Sequence, residues 1–360
     1  MSTGRTVLVT GAAGHLGSEV VARLAKRGHD VVAVVHKTSG IVDNAGRPVR
    51  GVRTVCGDVR YPDFRLDEST VDALGREVGT IVHCAALTDF GLPEQRYFEV
   101  NVDGTANALA LARRWDAGYL YVSTTYVCGE FNGTFYEDQL DVGQSFGNGY
   151  ELSKSRAERL VHESGLRWAV VRPGIVSGDH RTGHSREHKH IYQVLKLMTE
   201  GRLRTLPGHY SATLALSPIG HVADTVVAAT ERLTANVGTT FHAVGAEPVS
   251  LQQISDVLAE YPSLLVADFV PPTTFSVADL DVIERRYFQQ VGALYTTYLL
   301  RRIAFDSANT RARLGLTPPP TGPGYLRKVL DSCLRTGYLG RPQRSVVDAL
   351  AVLHRQEVRI

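Results

Sequence analysis

The chain has 360 residues, of which 39 are Lys or Arg and 37 are Asp or Glu, giving a formal net charge of +2. This balance creates no strong field toward nucleic acids or anionic membranes, so neither is expected as a partner. No apolar run approaches the roughly 18 residues of a membrane span, and the glycine-rich turn near the N-terminus leaves no room for a signal peptide. The four cysteines form no CxxC pair, so we expect free thiols and a cytoplasmic location. The sequence is compatible with an oligomer.

Short β-branched runs alternate with amphipathic stretches through the first half of the chain, which is typical of parallel strands joined by right-handed crossovers. Strands are predicted over residues 6–10, 31–35, 52–56, 80–84, 119–122, 168–172 and 239–244. This order predicts an α/β fold with a doubly wound parallel sheet of the Rossmann type. We expect one domain over residues 1–175, completed by the returning strand near 239–244, and a smaller, mainly helical lobe interleaved with it over 176–360.

Apolar residues at helical spacing predict the helices between and after these strands. Leu16, Val20 and Leu24 define the first, and a later one contains Ala106, Ala110 and Arg114 together with Leu109 and Leu111. Further helices are predicted over 191–200, 325–336 and 345–358, and the same spacing links Leu280, Ile283, Tyr287, Val291, Leu294 and Tyr298. The polar segment 178–190 is predicted to be a loop.

Three glycines, Gly11, Gly14 and Gly17, lie between the first predicted strand and the first predicted helix. The helix N-terminus directs the backbone N–H groups of His15 and Leu16 toward any anion bound there, and a pyrophosphate is stabilised at such a position. Side chains in place of the glycines would block the turn and the approach of the phosphate. A plain tight turn is the alternative, but the strand–turn–helix setting favours a dinucleotide site.

Residues after the next three strands fit the other parts of a dinucleotide. His36 and Lys37 follow the second strand, where an acidic residue would bind the ribose of NAD, so NADP(H) is favoured over NAD(H). Solvated loop residues are the alternative. Asp58, followed by Val59, is predicted to accept from the adenine amino group, although it could instead cap a helix. The small side chains of Ala85 and Ala86 let the cofactor lie flat.

A tyrosine and a lysine four residues apart, Tyr150 and Lys154, occupy one face of a predicted helix. The ammonium and an oxidised nicotinamide ring are expected to lower the phenol pKa from its ordinary value of about 10. Tyr150 then protonates a carbonyl oxygen as hydride reaches the carbon, and Lys154 holds the nicotinamide ribose. A third group comes from residues 123–125, where strand alternation places Thr124 on one side and Ser123 and Thr125 on the other.

These motifs resemble those of the extended short-chain dehydrogenase/reductase family, above all its thioester reductase and fatty acyl-CoA reductase branch. The similar stretches, between about residues 5 and 230, are 57–66, 82–86, 101–105, 122–129, 146–154, 157–158, 172–176 and 178–179. The resemblance implies that Thr124 is the catalytic hydroxyl and that Pro173 and Ile175 lie against the nicotinamide carboxamide. His15 and His36 depart from the residues usual in that branch.

The resemblance also implies NADPH-dependent reduction of an acyl thioester, bound to a carrier protein or to CoA, to an aldehyde or alcohol. Residues 1–175 would then bind the dinucleotide and residues 176–360 the substrate. No adenylation or carrier segment is recognised in the 360 residues, so we expect an acyl group delivered by a separate molecule. The alternatives are a nucleotide-sugar epimerase or dehydratase, a ketone or hydroxysteroid-type reductase, and a redox-sensing module without turnover.

The segment 178–190 is rich in histidine and basic residues. His184, His188 and His190 could in principle bind a metal, but their spacing fits no known site and no acidic or cysteine ligands accompany them, so no metal is expected. A basic lip facing an acidic carrier protein or a phosphopantetheine phosphate is one interpretation, and a solvated loop is the other.

Overall fold

In the computed structural model of the protein, residues 6–37 and 40–340 are described. The strands are β1 (Thr6–Thr10), β2 (Val31–Val35), β3 (Arg53–Cys56), β4 (Val78–His83), β5 (Gly118–Val122), β6 (Gly133–Phe135), β7 (Trp168–Pro173), β8 (Ile175–Ser177), β9 (Thr205–Pro207), β10 (Thr213–Leu214), β11 (Leu216–Pro218), β12 (Thr239–Ala243), β13 (Val249–Ser250), β14 (Asp268–Val270) and β15 (Ile303–Phe305). The α-helices are α1 (His15–Lys26), α2 (Glu68–Glu77), α3 (Glu94–Tyr97), α4 (Asp103–Arg114), α5 (Gly149–His162), α6 (Ile191–Thr199), α7 (Ile219–Glu231), α8 (Leu251–Ala259), α9 (Val282–Gln290), α10 (Ala308–Leu314) and α11 (Pro323–Arg335).

Seven of these strands form one parallel sheet in the order β12-β7-β5-β4-β1-β2-β3. The strand order reverses between β1 and β4, and ligands of open α/β sheets bind outside the carboxyl ends of the strands at such a point. The predicted doubly wound parallel sheet is confirmed, with strand ends within two residues of those expected.

Helices cover both faces of the sheet, because its strands are apolar on both sides. On one face, Val20 and Leu24 of α1 pack with Val226 of α7. On the other, Leu111 of α4 packs with Val161 of α5. Burial of Val20 and Leu24 confirms the predicted apolar stripe of the first helix.

The predicted face of α4 needs a correction. Ala106, Ala110 and Arg114 are exposed, whereas Leu109 and Leu111 are buried together with Ala108 and Ala112. The larger leucines decide which side of the helix packs on the sheet, because burying them removes more apolar surface from water than burying alanine does.

A second hydrophobic core lies in the C-terminal part of the chain, among α6, α8, α9 and α11. Helices predicted over 191–200 and 325–336 are present as α6 and α11. The spacing from Leu280 to Tyr298 does not form one helix, because α9 ends at Gln290 and a 3₁₀ turn, Gly292–Leu299, follows. Gly292 at this break has a low helix propensity, and Ile283 is exposed.

Two predictions concern the C-terminal end and membrane association. The helix predicted over 345–358 lies outside the described residues. Within residues 6–37 and 40–340, no helix combines the length and apolar character needed to cross a membrane.

A buried ion pair joins the segment before β15 to α5. Arg301 donates from Nη1 to Glu151 Oε1 at 2.7 Å and from Nη2 to Glu151 Oε2 at 3.1 Å. The two residues are 3% and 0% exposed, respectively, so water cannot replace either partner. Glu151 also accepts from the backbone N–H of Gly147 at 2.9 Å, just before the helix. The pair therefore fixes the start of α5 against the C-terminal core.

Replacing Arg301 with Ala should destabilise the protein by roughly 3–5 kcal/mol, because Glu151 would be left as an unpaired buried charge. Equilibrium unfolding in urea measures the change. The matched control is Arg302→Ala, which removes an exposed side chain next in sequence and should change the free energy of unfolding by less than about 0.5 kcal/mol. Equal effects of the two substitutions would contradict the importance of the pair.

Candidate active site

The glycine-rich turn between β1 and α1 is shaped by close backbone contacts. Gly11 has a φ of +65°, and a Cβ there would lie 2.7 Å from the Ala85 backbone. A Cβ on Gly17 would lie 2.2 Å from the Gly11 carbonyl oxygen, which also accepts from the Gly14 N–H at 3.0 Å. Only glycine fits at Gly11 and Gly17 without moving the backbone.

The N-terminus of α1 faces the cavity described below. The first helix-closing contact runs from the Ser18 N–H to the Gly14 carbonyl, so the N–H groups of His15 and Leu16 have no partner within the helix. His15 Nε2 lies 3.2 Å from Ser185 Oγ, and burial lowers the pKa of His15 to about 4. The side chain is therefore neutral at pH 7, and the anion-binding character of this turn comes from the backbone.

The residues expected on the adenosine side lie at the carboxyl ends of β2 and β3. His36 Nε2 is 3.5 Å from Asp58 Oδ2, and Lys37 is exposed beside it. Arg60 donates to the Asp58 carboxylate through Nε at 3.0 Å and Nη2 at 2.6 Å, and this hydrogen bonding holds the pKa of Asp58 below its ordinary value. Asp58 caps no helix. Val59 packs against Gly104 of α4. Sequence reasoning missed Arg60, although its spacing of two from Asp58 is typical of such a turn.

Ala85 and Ala86 follow β4. Ala85 is the close neighbour of Gly11, and its N–H lies 3.3 Å from the Thr10 hydroxyl. Ala86 lines the cavity.

Tyr150 lies in the first turn of α5, whose N-cap Asn148 accepts from the Glu151 N–H at 2.9 Å. Thr124 comes from the end of β5, and its hydroxyl donates to the Pro173 carbonyl at 3.3 Å while accepting from the Tyr126 N–H at 3.3 Å. The Thr124 side chain also acts on the phenol of Tyr150, whose pKa it lowers against the effect of burial. Of the three residues 123–125, Ser123 and Thr124 line the same cavity as Tyr150, and Thr124 is the one whose side chain acts on the phenol.

The pKa of Tyr150 differs from the sequence-based expectation. Burial raises it to about 12, although the Thr124 side chain acts in the opposite direction. The expected lowering required the Lys154 ammonium beside the phenol, but that ammonium donates to Tyr121 Oη at 2.6 Å and to the Val122 carbonyl at 2.9 Å. The phenol is therefore fully protonated at neutral pH, the form that a general acid needs.

Lys154 is only 1% exposed. Burial lowers the pKa of its ammonium to about 7, while the charge of Glu158 one turn later in α5 raises it. Glu158 itself is paired with Arg172 of β7, whose Nη2 donates to its Oε1 at 2.5 Å. Neither Glu158 nor Arg172 was recognised from the sequence as part of this site.

These groups surround one cavity of about 300 Å³ at the carboxyl edge of the sheet. The predicted site residues that line it are Gly11, Gly14, His15, Leu16, Gly17, Ala86, Thr124, Tyr150, Lys154, Pro173 and Ile175. Those that do not line it are His36, Lys37, Asp58, Val59 and Ala85. The structure therefore brings the glycine-rich turn, the three catalytic candidates and the segment after β7 together, and leaves the adenosine-side residues outside this cavity.

Part of the 178–190 segment also borders the cavity, through Glu187, Lys189 and His190. The His190 ring packs on Phe90 with centroids 5.2 Å apart, and Lys189 Nζ lies 3.5 Å from Asp89 Oδ1. In the described part of the chain, no three His, Cys, Asp or Glu side chains are placed to hold a metal ion.

Comparison with known proteins identifies the family. The family model described as "Male sterility protein", an NAD-binding family, matches residues 9–226. The match covers more than half of the chain, which therefore belongs to this family. The resemblance expected from the motifs is confirmed at this level.

Individual relatives give further context. L-2-aminoadipate reductase large subunit of Penicillium chrysogenum is 29% identical over 307 residues, covering 75% of this chain and 21% of that protein. dTDP-4-dehydro-6-deoxy-D-allose reductase of a Streptomyces species is 29% identical over 271 residues, covering 71% of this chain and 80% of that protein. The chain spans about a fifth of the length of the first curated relatives it matches.

A solved structure supports the fold over nearly the whole chain. The terminal R domain from the myxalamid PKS-NRPS biosynthetic pathway superimposes with a TM-score of 0.80 at 24% identity. The alignment covers 94% of this chain and 93% of that one. The similarity to this domain therefore extends over the C-terminal part of the chain as well as over the sheet.

Replacing Gly17 with Ala should raise the Kd of the dinucleotide by at least about tenfold, because the new methyl group would displace the Gly11 carbonyl and distort the turn. Titration of NADPH fluorescence measures binding directly. Gly324→Ala is the matched control, since a Cβ at Gly324 meets no atom within 4 Å. Unchanged affinity in Gly17→Ala would show that the dinucleotide does not bind at this turn.

Proposed function

We propose that the protein is an NADPH-dependent oxidoreductase that reduces an acyl thioester, bound to a carrier protein or to CoA, to an aldehyde or alcohol. The observation that carries the proposal is the convergence of Thr124, Tyr150 and Lys154 on one cavity with the N-terminus of α1. The reductase named among the relatives and the terminal R domain named among the solved structures support the substrate class.

The residues present fit the chemistry of carbonyl reduction. When bound, the reduced dinucleotide supplies a hydride to the carbonyl carbon. Tyr150 donates its phenolic proton to the carbonyl oxygen, and Thr124, which lines the same cavity, binds that oxygen when its hydroxyl proton turns away from the Pro173 carbonyl. Lys154 lines the cavity with one ammonium N–H left by Tyr121 and Val122, and this N–H would hold the ribose.

The charge of the cavity favours an acyl thioester over a nucleotide sugar. Among the described residues, its lining holds three residues with charged side chains, Lys154, Glu187 and Lys189, besides two histidines. Lys154 is engaged by Tyr121, and Lys189 lies beside Asp89. A sugar diphosphate needs cationic groups that are free to pair with it. The apolar lining suits an acyl group instead, and includes Phe90, Ile191, Val194, Leu214, Tyr295, Tyr298 and Leu299.

This proposal assigns cofactor binding and substrate binding to different parts of the chain. We assign the dinucleotide to residues 1–175 with β12 and the substrate to residues 176–360, of which Ile191, Tyr295 and Leu299 line the cavity. A separate carrier protein or a CoA ester would deliver the acyl group to this cavity, which Lys189 also lines.

The preference for NADPH over NADH is supported by the bases after β2. His36 and Lys37 are exposed at the carboxyl edge, where the adenosine 2′-phosphate reaches in this fold. Arg60 neutralises Asp58, the acidic group nearest to His36, so the region does not repel a phosphate.

Replacing His36 and Lys37 together with Ala should raise KM for NADPH about tenfold and leave KM for NADH within about twofold, because only NADPH loses contacts to its 2′-phosphate. Steady-state kinetics with both cofactors measure the ratio. Lys26→Ala, which removes an exposed charge at the end of α1, is the control. Equal changes in the two KM values would show that His36 and Lys37 do not determine the preference for NADPH.

The reaction itself is tested by mixing the protein with NADPH and a panel of acyl-pantetheine thioesters, aldehydes, ketones and nucleotide sugars, and following absorbance at the wavelength of reduced nicotinamide. We expect NADPH consumption with thioesters and release of free thiol. Turnover of a nucleotide sugar without net NADPH loss would establish the epimerase alternative, and activity on ketones alone would establish the simple reductase.

Tyr150→Phe should lower kcat for the best substrate by about 10²–10⁴-fold, because only the proton donor is lost. Its NADPH affinity should stay within about twofold, which fluorescence titration checks. Tyr136→Phe makes the same change at an exposed tyrosine and should have no effect. A Tyr150→Phe variant with wild-type kcat would show that another group is the acid.

A further inference from the structure

The ammonium of Lys154 is held by two acceptors inside the protein. Nζ lies 2.6 Å from Tyr121 Oη and 2.9 Å from the Val122 carbonyl, and both acceptors belong to the end of β5. An ammonium has three N–H donors, so two are committed and one remains for the cavity that Lys154 lines. The direction of that free N–H is set by where the other two point.

Tyr121 can act only as an acceptor toward Lys154. Its side chain is fully buried, and burial raises the pKa of its phenol well above the ordinary value while the Thr105 side chain of α4 acts in the opposite direction. An ammonium has donors and no lone pair, so in the 2.6 Å contact Nζ donates and Tyr121 Oη accepts. A lone pair of the Tyr121 oxygen therefore faces the ammonium.

A second set of hydrogen bonds involves the catalytic helix. Asn101 Nδ2 donates to Ser153 Oγ at 2.9 Å and to the Leu87 carbonyl at 3.1 Å. Ser153 Oγ in turn donates to the Tyr150 carbonyl at 2.8 Å. These contacts position the backbone of the proposed acid on the helix that also carries Lys154.

The charge on Lys154 depends on few groups. On α5, Glu158 favours the ammonium. On β4, burial keeps His83 neutral, with its pKa lowered to about 3, and the residue after that strand, Cys84, is a neutral thiol whose pKa burial raises to about 12. On β5, Tyr121 supplies the shortest contact, with the ammonium 4.2 Å from its ring centroid. Because burial opposes the charge, losing one acceptor has a large effect on it.

We propose that Tyr121 is a positioning residue of the reductase: it keeps Lys154 charged at neutral pH and directs the remaining ammonium N–H into the cavity. This inference rests on the proposed function for its kinetic consequence. Tyr121 itself touches neither the substrate nor the cofactor, since its side chain does not line the cavity.

The test is the pH dependence of Tyr121→Phe, which keeps the ring and removes the acceptor. Charged Lys154 is the active form, so kcat falls as the pH rises through the lysine pKa. Loss of the acceptor lowers that pKa, and the fall in kcat should move to lower pH. We expect activity about tenfold below wild type at pH 8 and within about twofold of it at pH 5.

Tyr119→Phe is the matched control. Tyr119 lies two residues earlier on the same face of β5 and is equally buried, and its hydroxyl has no hydrogen-bond partner among the described residues. Its removal should leave the pH profile unchanged. A Tyr121→Phe variant with the wild-type profile, or with the same loss at every pH, would overturn the proposal, since a purely structural defect is independent of Lys154 ionisation.

A readout without turnover separates this inference from the proposed function. The Kd of NADPH is measured by fluorescence from pH 5 to 9, and the rise in Kd as Lys154 loses its charge should begin at lower pH in Tyr121→Phe than in wild type. If the wild-type protein reduced no thioester, the proposed substrate class would be wrong. If the two proteins gave identical NADPH binding curves, Tyr121 would not have the proposed role.

Discussion

The buried polar face of α5 is the feature on which the rest of the structure depends. Three charged residues at positions i, i+3 and i+7 of this helix, Glu151, Lys154 and Glu158, are at most 1% exposed. Each of these charges has a hydrogen-bond partner from a different part of the fold. Glu151 pairs with Arg301 before β15, Lys154 donates to the end of β5, and Glu158 pairs with Arg172 of β7. Unmatched buried charges are strongly destabilising, so the helix fits only where all three partners are present.

The partners that stabilise these three buried charges also hold the proposed catalytic groups in place. The pair with Arg301 ties the segment before β15 to the helix that carries Tyr150. The contacts of Lys154 tie the same helix to the end of β5, two residues before Thr124, and the pair between Glu158 and Arg172 ties it to the neighbouring strand. The proposed acid, its hydroxyl partner and the ammonium therefore keep their relative positions without a ligand, and the enzyme need not spend binding energy to assemble them.

The sequence predicted the sheet correctly, and most of its candidate site residues line one cavity, because both depend on local patterns: β-branched runs, a strand–glycine–helix junction and a Tyr-x-x-x-Lys spacing. It failed where tertiary packing decides. No local pattern marks Glu151 and Glu158 as buried, since a charge is buried only when a distant residue pairs with it. Spacing also places Lys154 on the same face as Tyr150 but does not reveal that Tyr121 and the Val122 carbonyl engage its ammonium, so without the nicotinamide ring burial decides the pKa of Tyr150.

The central claim is that Tyr150, Thr124 and Lys154 act on a carbonyl beside a dinucleotide bound at the glycine-rich turn. A crystal structure of the protein with NADP⁺ and an unreactive acyl-pantetheine amide tests it most directly. The account predicts the amide oxygen within about 3.5 Å of the Tyr150 and Thr124 hydroxyls, with its carbon facing nicotinamide C4. A nicotinamide ring bound away from Tyr150, or an acyl group outside the cavity, would contradict it.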